Sequence, residues 1–162
     1  MTRALSGVLR LVTIGGGSLW ALPLRAIVGY GIMEHGWAKL ARGPDDFAGI
    51  LAALHMPFPG LLAWATIVTE LVGGFLVLIG AFLPLVSIPM AIVLVVAIVT
   101  VHLPNGFSSI KLQAITPQGA RFGQPGYETD LLYLAALAAL VLGGSGPLAV
   151  DRLWPRAKSP PR

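Results

Sequence analysis

Long runs of apolar residues dominate the chain and predict membrane-spanning helices. Three runs are clear, at residues 60–81, 85–103 and 131–150. A helix needs about 20 apolar residues to cross roughly 30 Å of hydrocarbon, and each run is close to that length. The first run carries a single charged residue, Glu70, and the other two contain no Asp, Glu, Lys or Arg.

A fourth run, residues 18–40, is apolar overall but contains Arg25, Glu34, His35 and Lys39. Alone, such a helix would insert poorly into a bilayer, whereas inside a bundle its polar residues can face the interior. The pattern therefore predicts an all-α integral membrane four-helix bundle. Its spans are expected at about residues 18–40, 60–81, 84–103 and 128–146.

Shorter features organise the rest of the chain. Residues 1–17 form a predicted cytoplasmic or interfacial N-terminal segment, residues 18–150 the four-span domain, and residues 151–162 a basic disordered tail. After the first span, apolar residues at helical spacing predict a short interfacial helix: Phe47, Ile50, Leu51 and Leu54. The connection at residues 104–127 is long and partly apolar, which predicts that it folds over the helix ends.

Composition narrows the class of protein. Of 162 residues, 56% are hydrophobic and only 11% are charged, against about 25% charged in ordinary soluble domains. This balance disfavours a soluble enzyme, a nucleic-acid binder and a disordered chain. The chain has no cysteine, so it forms no disulfide, iron–sulfur cluster or thiolate metal site by itself.

The distribution of basic residues predicts the orientation of the bundle. Four spans place both termini on one side of the membrane. The two terminal segments hold six basic residues: Arg3, Arg10, Arg152, Arg156, Lys158 and Arg162. The two long connections hold four: Lys39, Arg42, Lys111 and Arg121. The positive-inside rule therefore predicts cytoplasmic termini and outward-facing long connections.

Two charged residues are expected to meet inside the membrane. Glu70 lies near the middle of the second span, and Arg25 lies slightly to the cytoplasmic side of the middle of the first. Their expected axial offset is about 6 Å, which an arginine side chain can cover. We predict an Arg25–Glu70 ion pair. It either fixes the helix register or belongs to a functional site, since intramembrane charges are often functional.

A second polar group is expected at the outward end of the bundle. Antiparallel threading brings six ionisable residues to that face: Glu34, His35, Lys39, His102, Glu128 and Asp130. Histidines beside carboxylates can move protons near neutral pH, which suits a quinone head group that needs hydrogen-bond partners and a proton path. The alternatives are interfacial residues without a ligand, a metal site at the two histidines and a carboxylate, or haem ligation by the two histidines. No metal-site, haem or flavin motif supports a cofactor of those kinds.

Several short motifs resemble the DoxX family of small bacterial four-span membrane proteins. The first span contains Arg25 and Gly29, then His35-Gly36-x2-Lys39; a Pro-containing link follows at residues 56–59. The second span contains Glu70-Leu71-Val72-Gly73-Gly74 and a later Gly80. The similarity covers roughly residues 20–145 and departs from the family pattern at residues 82–84, where members often carry an arginine.

The resemblance implies a multi-pass protein of the bacterial cytoplasmic membrane. The family takes its name from a subunit associated with a quinone-linked oxidoreductase of sulfur metabolism. The leading hypothesis is therefore a membrane subunit of such an enzyme, surrounded by lipid, with quinone as a possible cofactor and electrons supplied by a redox partner subunit. The alternatives are a non-catalytic assembly or scaffold protein that binds another membrane protein, and a small transporter with Arg25 and Glu70 in its translocation path.

Overall fold

The computed structural model describes residues 13–14 and 17–153. Within the predicted N-terminal segment, Thr13–Ile14 (β1) pairs antiparallel with Gly17–Ser18 (β2). The predicted cytoplasmic or interfacial character of residues 1–12 concerns a part of the chain outside the described residues, as does the predicted disorder of residues 154–162.

Five α-helices form most of the described chain. They are α1 (Ala21–Arg42), α2 (Pro44–Ala53), α3 (Pro59–Ile79), α4 (Leu83–Ala97) and α5 (Glu128–Gly143). Helix α4 continues through a π-helical turn, Ile98–His102, into a 3₁₀ turn, Leu103–Asn105. The helices follow the apolar runs of the sequence, and α2 is the short helix predicted between the first two spans.

Two helices are long and apolar enough to cross a membrane: Pro59–Ile79 and Leu83–Asn105. Helix α1 has 22 residues but carries Arg25, Glu34 and Lys39. Helix α5 has 16 residues, which corresponds to about 24 Å at 1.5 Å per residue. The two most apolar predicted spans thus coincide with the two candidate spans of the structure.

A tight turn joins α3 to α4 and makes them antiparallel neighbours. Gly80 has a φ of 69°, and the amide of Ala81 donates to the carbonyl of Leu76 at 2.8 Å. Glycine accepts this left-handed conformation without a Cβ penalty, so it ends α3 in the way common for helix C-termini. Helix α4 begins two residues later, with Pro84 in its first turn, where a missing N–H costs nothing.

One hydrophobic core is shared by α1, α3, α4 and α5. Its fully buried members include Val28 of α1, Val77 of α3, Met90 of α4 and Leu140 of α5. Helix α1 packs against α3, and α4 packs against both α3 and α5. The described chain is therefore mostly helical with a single shared core, which is the coarse fold that the hydrophobic pattern predicts.

Glycines bring α1 and α3 into close contact. A Cβ built on Gly29 would lie 2.7 Å from the carbonyl oxygen of Gly74, and one built on Gly74 would lie 2.7 Å from that of Gly29. Further along, a Cβ on Gly36 would lie 2.9 Å from the Cβ of Glu70. Small residues permit this backbone approach, and their positions fix how the two helices are aligned along their axes.

The structure differs from two predictions: that the fold is all-α, and that the tail is disordered from residue 151. The connection between α4 and α5 forms an antiparallel hairpin of Leu112–Thr116 (β3) and Gly119–Phe122 (β4). Residues 151–153, assigned to the disordered tail, are ordered. The Asp151 amide donates to the carbonyl of Gly80 at 3.1 Å, and its carboxylate accepts from the amide of Phe82 at 2.8 Å. Asp151 thereby satisfies backbone groups that the α3–α4 turn leaves unpaired.

We expect Gly29→Ala and Gly74→Ala each to lower the free energy of unfolding by about 1–3 kcal/mol, because the added methyl group meets a rigid backbone. The measurement is unfolding of the purified protein in mixed detergent. Gly49→Ala in α2 is the matched control, since a Cβ there meets nothing within 4 Å; it should stabilise by about 0.5–1 kcal/mol or change nothing. Unchanged stability of both α1–α3 variants would contradict the close helix contact.

Candidate functional site

A cavity of about 380 Å³ opens between the helices at the end where α1 and α4 finish and α5 begins. We call it the polar chamber. Four helical elements supply its ionisable lining residues: His35, Lys39, Glu70, His102, Asp130 and Tyr133. The remaining wall is largely apolar and includes Met90 and Leu94 of α4. A mostly apolar cavity with a few converging polar groups is the usual form of a small-molecule site.

Lys39 and Glu70 form an ion pair between α1 and α3. The Lys39 Nζ lies 2.7 Å from both carboxylate oxygens of Glu70. The Lys39 side chain is 24% exposed and that of Glu70 8%. Glu70 can reach Lys39 because Gly36, three residues before Lys39, lets the two backbones approach. The same ammonium lies 5.4 Å from the centre of the Phe47 ring, which connects α2 to the pair.

The predicted Arg25–Glu70 pair is wrong. The contact of Gly36 with Glu70 places Arg25 eleven residues away along α1, about 16 Å at 1.5 Å per residue. This distance is longer than an arginine side chain. The estimate from the sequence placed each residue relative to the middle of its own apolar run, whereas the glycine contacts set the true alignment of α1 with α3.

Arg25 is instead buried at the opposite end of the helices, where its guanidinium donates to five backbone carbonyls. The acceptors are Val77 at 3.3 Å, Leu78 at 2.8 Å, Ser145 at 3.1 Å, Pro147 at 3.2 Å and Leu148 at 3.3 Å. The last carbonyls of a helix have no intrahelical partner and carry its negative dipole end, so a cation there is favourable. Arg25 thus joins the end of α3 to the segment after α5, a structural role. The transporter alternative loses the pair on which it depended.

His102, in the π-helical turn, and Asp130, on α5, form a second pair in the wall of the polar chamber. The His102 Nδ1 lies 2.5 Å from an Asp130 carboxylate oxygen, and the two side chains are 24% and 11% exposed. Among the described residues, the other ring nitrogen of His102 makes no hydrogen bond. Single π-turns within helices occur often at functional sites. An imidazole oriented by a carboxylate can hold and release a proton.

Tyr133 is a chamber residue that the sequence reasoning missed. Its ring meets that of His35 edge to face, with centroids 6.3 Å apart and planes at 86°. The tyrosine packs over Gly31 of α1, where any side chain would displace it. A single tyrosine in an apolar helix resembles a core residue, so only the pairing of Gly31 with α5 could have revealed its position.

The structure places four of the six predicted site residues around the polar chamber: His35, Lys39, His102 and Asp130. Glu34 is exposed and lies outside the lining, because neighbouring residues on a helix point about 100° apart. Glu128 is also outside, since its carboxylate accepts from the amide of Ser109 at 2.9 Å and secures the connection between α4 and α5. Within the part of the chain that the structure describes, no group of three His, Asp or Glu is arranged to hold a metal ion.

The structure is thus a helical protein with two candidate membrane spans and an internal polar chamber. The chain belongs to the DoxX family, whose model matches residues 20–103. The resemblance inferred from the sequence is therefore confirmed. No curated protein and no solved structure matches the chain. The matched part contains Lys39, Glu70 and His102, whereas Asp130 and Tyr133 lie beyond it on α5.

A double-mutant cycle tests the observed pairing. We expect Lys39→Met and Glu70→Gln to be coupled by about 0.5–3 kcal/mol in the free energy of unfolding, because the two side chains are in direct contact. The control cycle combines Arg25→Gln with Glu70→Gln and should be additive within about 0.5 kcal/mol, since those residues are far apart. Strong coupling in the control cycle and none in the first would contradict the pairing.

Proposed function

We propose that the chain is a multi-pass membrane protein in which α1, α3, α4 with its extension, and α5 form a four-helix bundle of spans, with both termini in the cytoplasm. The apolar surface of the candidate spans supports this. Helix α3 exposes Leu61, Trp64, Val68, Val72 and Phe75 along one face. Helix α4 exposes Leu85, Ile88, Ile92, Val95 and Val99 in the same way. Such continuous stripes are unfavourable in water and are satisfied by lipid.

The polar groups inside the helices fit the same environment. Arg25 is satisfied by carbonyls, and Glu70 by Lys39. Among the described residues, no buried side-chain nitrogen or oxygen lacks a hydrogen-bond partner. This matters more in hydrocarbon than in water, because no solvent is present to replace a missing partner.

Reporter fusions test the orientation. We expect a green fluorescent protein fused after Arg162 to fluoresce in the bacterial cytoplasm. Alkaline phosphatase inserted after Gln118, in the turn between β3 and β4, should be active on the outer side of the membrane. The excess of basic residues in the terminal segments is the physical reason. Active phosphatase fused after Arg162, with no activity after Gln118, would refute the proposed topology.

We propose further that the polar chamber binds the head group of a quinone, as a membrane subunit of a quinone-linked oxidoreductase. The observation that carries this proposal is the His102–Asp130 pair facing the same cavity as the Lys39–Glu70 pair. A quinone head offers two carbonyl acceptors on a flat ring. The Lys39 ammonium and the His102 ring nitrogen are donors, while Met90 and Leu94 offer apolar contact to the ring.

Proton delivery is the chemistry that this chain's residues would contribute. A bound quinone accepts two electrons and two protons on reduction. In the proposed site the imidazole of His102, which Asp130 orients, passes the two protons one after the other and takes each from water, while the ion pair at Lys39 keeps a positive charge close to a quinone carbonyl. The sequence has no cysteine and no flavin or haem motif, so the proposal assigns electron delivery to a partner subunit.

Co-purification of quinone tests the site. We expect His102→Gln and Asp130→Asn to lower the quinone bound per protein by about tenfold or more, because removing a charged hydrogen-bond partner costs ~1.5–3 kcal/mol. The protein is purified in mild detergent, and the extracted quinone is measured by chromatography.

His55→Asn is the control, since His55 is exposed in the α2–α3 link and lies outside the chamber. A wild-type protein without quinone, or equal quinone in all variants, would refute the proposal. A co-purifying partner chain without quinone would favour the scaffold alternative.

A further inference from the structure

A second cavity, of about 280 Å³, lies beside the polar chamber between α2, α3 and α4. We call it the side cavity. Apolar groups form most of its wall, including Phe47 and Leu51 of α2 and Leu54 at the C-terminal end of that helix. Those three residues share one face of α2, so this short helix covers the cavity with its apolar side. Its exposed acidic residues, Asp45 and Asp46, lie at the start of the helix, away from that face.

The side cavity and the polar chamber share one boundary. Both are lined by Lys39 and Glu70, and both touch Val93 and Ala97 on α4 and Val101 in its π-helical extension. Among the residues that the structure describes, Lys39 and Glu70 are the charged ones in the lining of the side cavity. The ion pair therefore lies between the polar chamber, which also holds His102 and Asp130, and the side cavity, and the two spaces follow each other along α4 and its extension.

The side cavity lies between α3 and α4, farther from the turn that joins them than the contact of Gly73 with Met90. Near the turn, Gly73 packs against Met90 of α4. Farther from the turn, Thr66 of α3 faces the cavity. Pro89 also lines the cavity, and it interrupts the hydrogen bonds of α4 because a proline has no N–H. The lining residues Ala65 and Ile92 are also exposed on the outside of the helices. The opening thus lies between the two candidate membrane spans, where the surrounding solvent is hydrocarbon.

We propose that the side cavity binds the hydrocarbon chain of the quinone whose head group occupies the polar chamber. The ligand class is therefore an isoprenoid quinone that enters sideways from the lipid between α3 and α4. This inference rests on the proposed function, because it places the head and the chain of one molecule on the two sides of the Lys39–Glu70 boundary. The largely apolar wall favours a flexible hydrocarbon chain because it offers van der Waals contacts along the length of the chain.

The test compares quinones with and without a chain. The probes are dimethoxy-methyl-benzoquinone and decylubiquinone, together with menadione and its phytyl derivative, each titrated against the full chain in detergent. We expect Thr66→Phe to fill the side cavity and to lower the affinity for the chain-bearing probes by about tenfold or more, the loss expected when two buried methylene groups are excluded. The Thr66→Phe variant should bind the chainless probes with the same affinity as the wild type.

Val68→Phe is the matched control, because Val68 is on the same helix but exposed on its outer face. It should change neither affinity. Thr66→Leu is a smaller change and should cause a partial loss of affinity for the chain-bearing probes. It replaces Thr66→Phe in the test if that variant does not fold. An equal loss for both kinds of probe, or no loss for either, would overturn the side-cavity proposal while leaving the quinone site in place. Failure of all probes to bind the wild type would instead refute the proposed function itself.

Discussion

The close packing of α1 on α3 is the constraint on which the other features depend. Gly29 and Gly74 bring the two backbones together, and Gly36 continues the contact one helical turn from Lys39. This alignment sets Lys39 opposite Glu70 and Arg25 opposite the last turn of α3. Since each of these charges is buried or nearly so, a shift of one residue would leave a cation or a carboxylate without its partner at a cost of several kcal/mol.

The charged residues of this protein divide between two tasks. At one end, Arg25 binds only backbone carbonyls, so it stabilises helix ends and has no free donor pattern for a ligand. At the other end, the charges occur as two pairs on the wall of a cavity. The difference between these surroundings, rather than the presence of charge in an apolar chain, separates structural residues from candidate functional ones.

The sequence was sufficient for the helices and for much of the polar chamber, because both follow from one-dimensional patterns. Apolar runs locate α3 and α4, and antiparallel threading brings His35, Lys39, His102 and Asp130 to one end. Pairing is different, because it depends on the alignment of two helices, which glycine contacts determine in three dimensions. The hairpin β3–β4 was missed because its strands are only five and four residues long. A bulge also breaks their pairing, so a short partly apolar segment gives little periodic signal.

The two side-chain pairs of the polar chamber have a mechanical consequence. Lys39–Glu70 fastens α1 to α3, and His102–Asp130 fastens the extension of α4 to α5, so each pair lies within one half of the molecule. Among the described residues, the hydrogen bonds that cross between these halves lie at the opposite end, where Arg25 and Asp151 hold the turn and the segment after α5. Hydrogen bonds therefore join the two halves at the Arg25 end. At the chamber end, the described contacts between the halves are packing contacts such as His35 on Tyr133, so a widening of the cavities there would break none of the described hydrogen bonds.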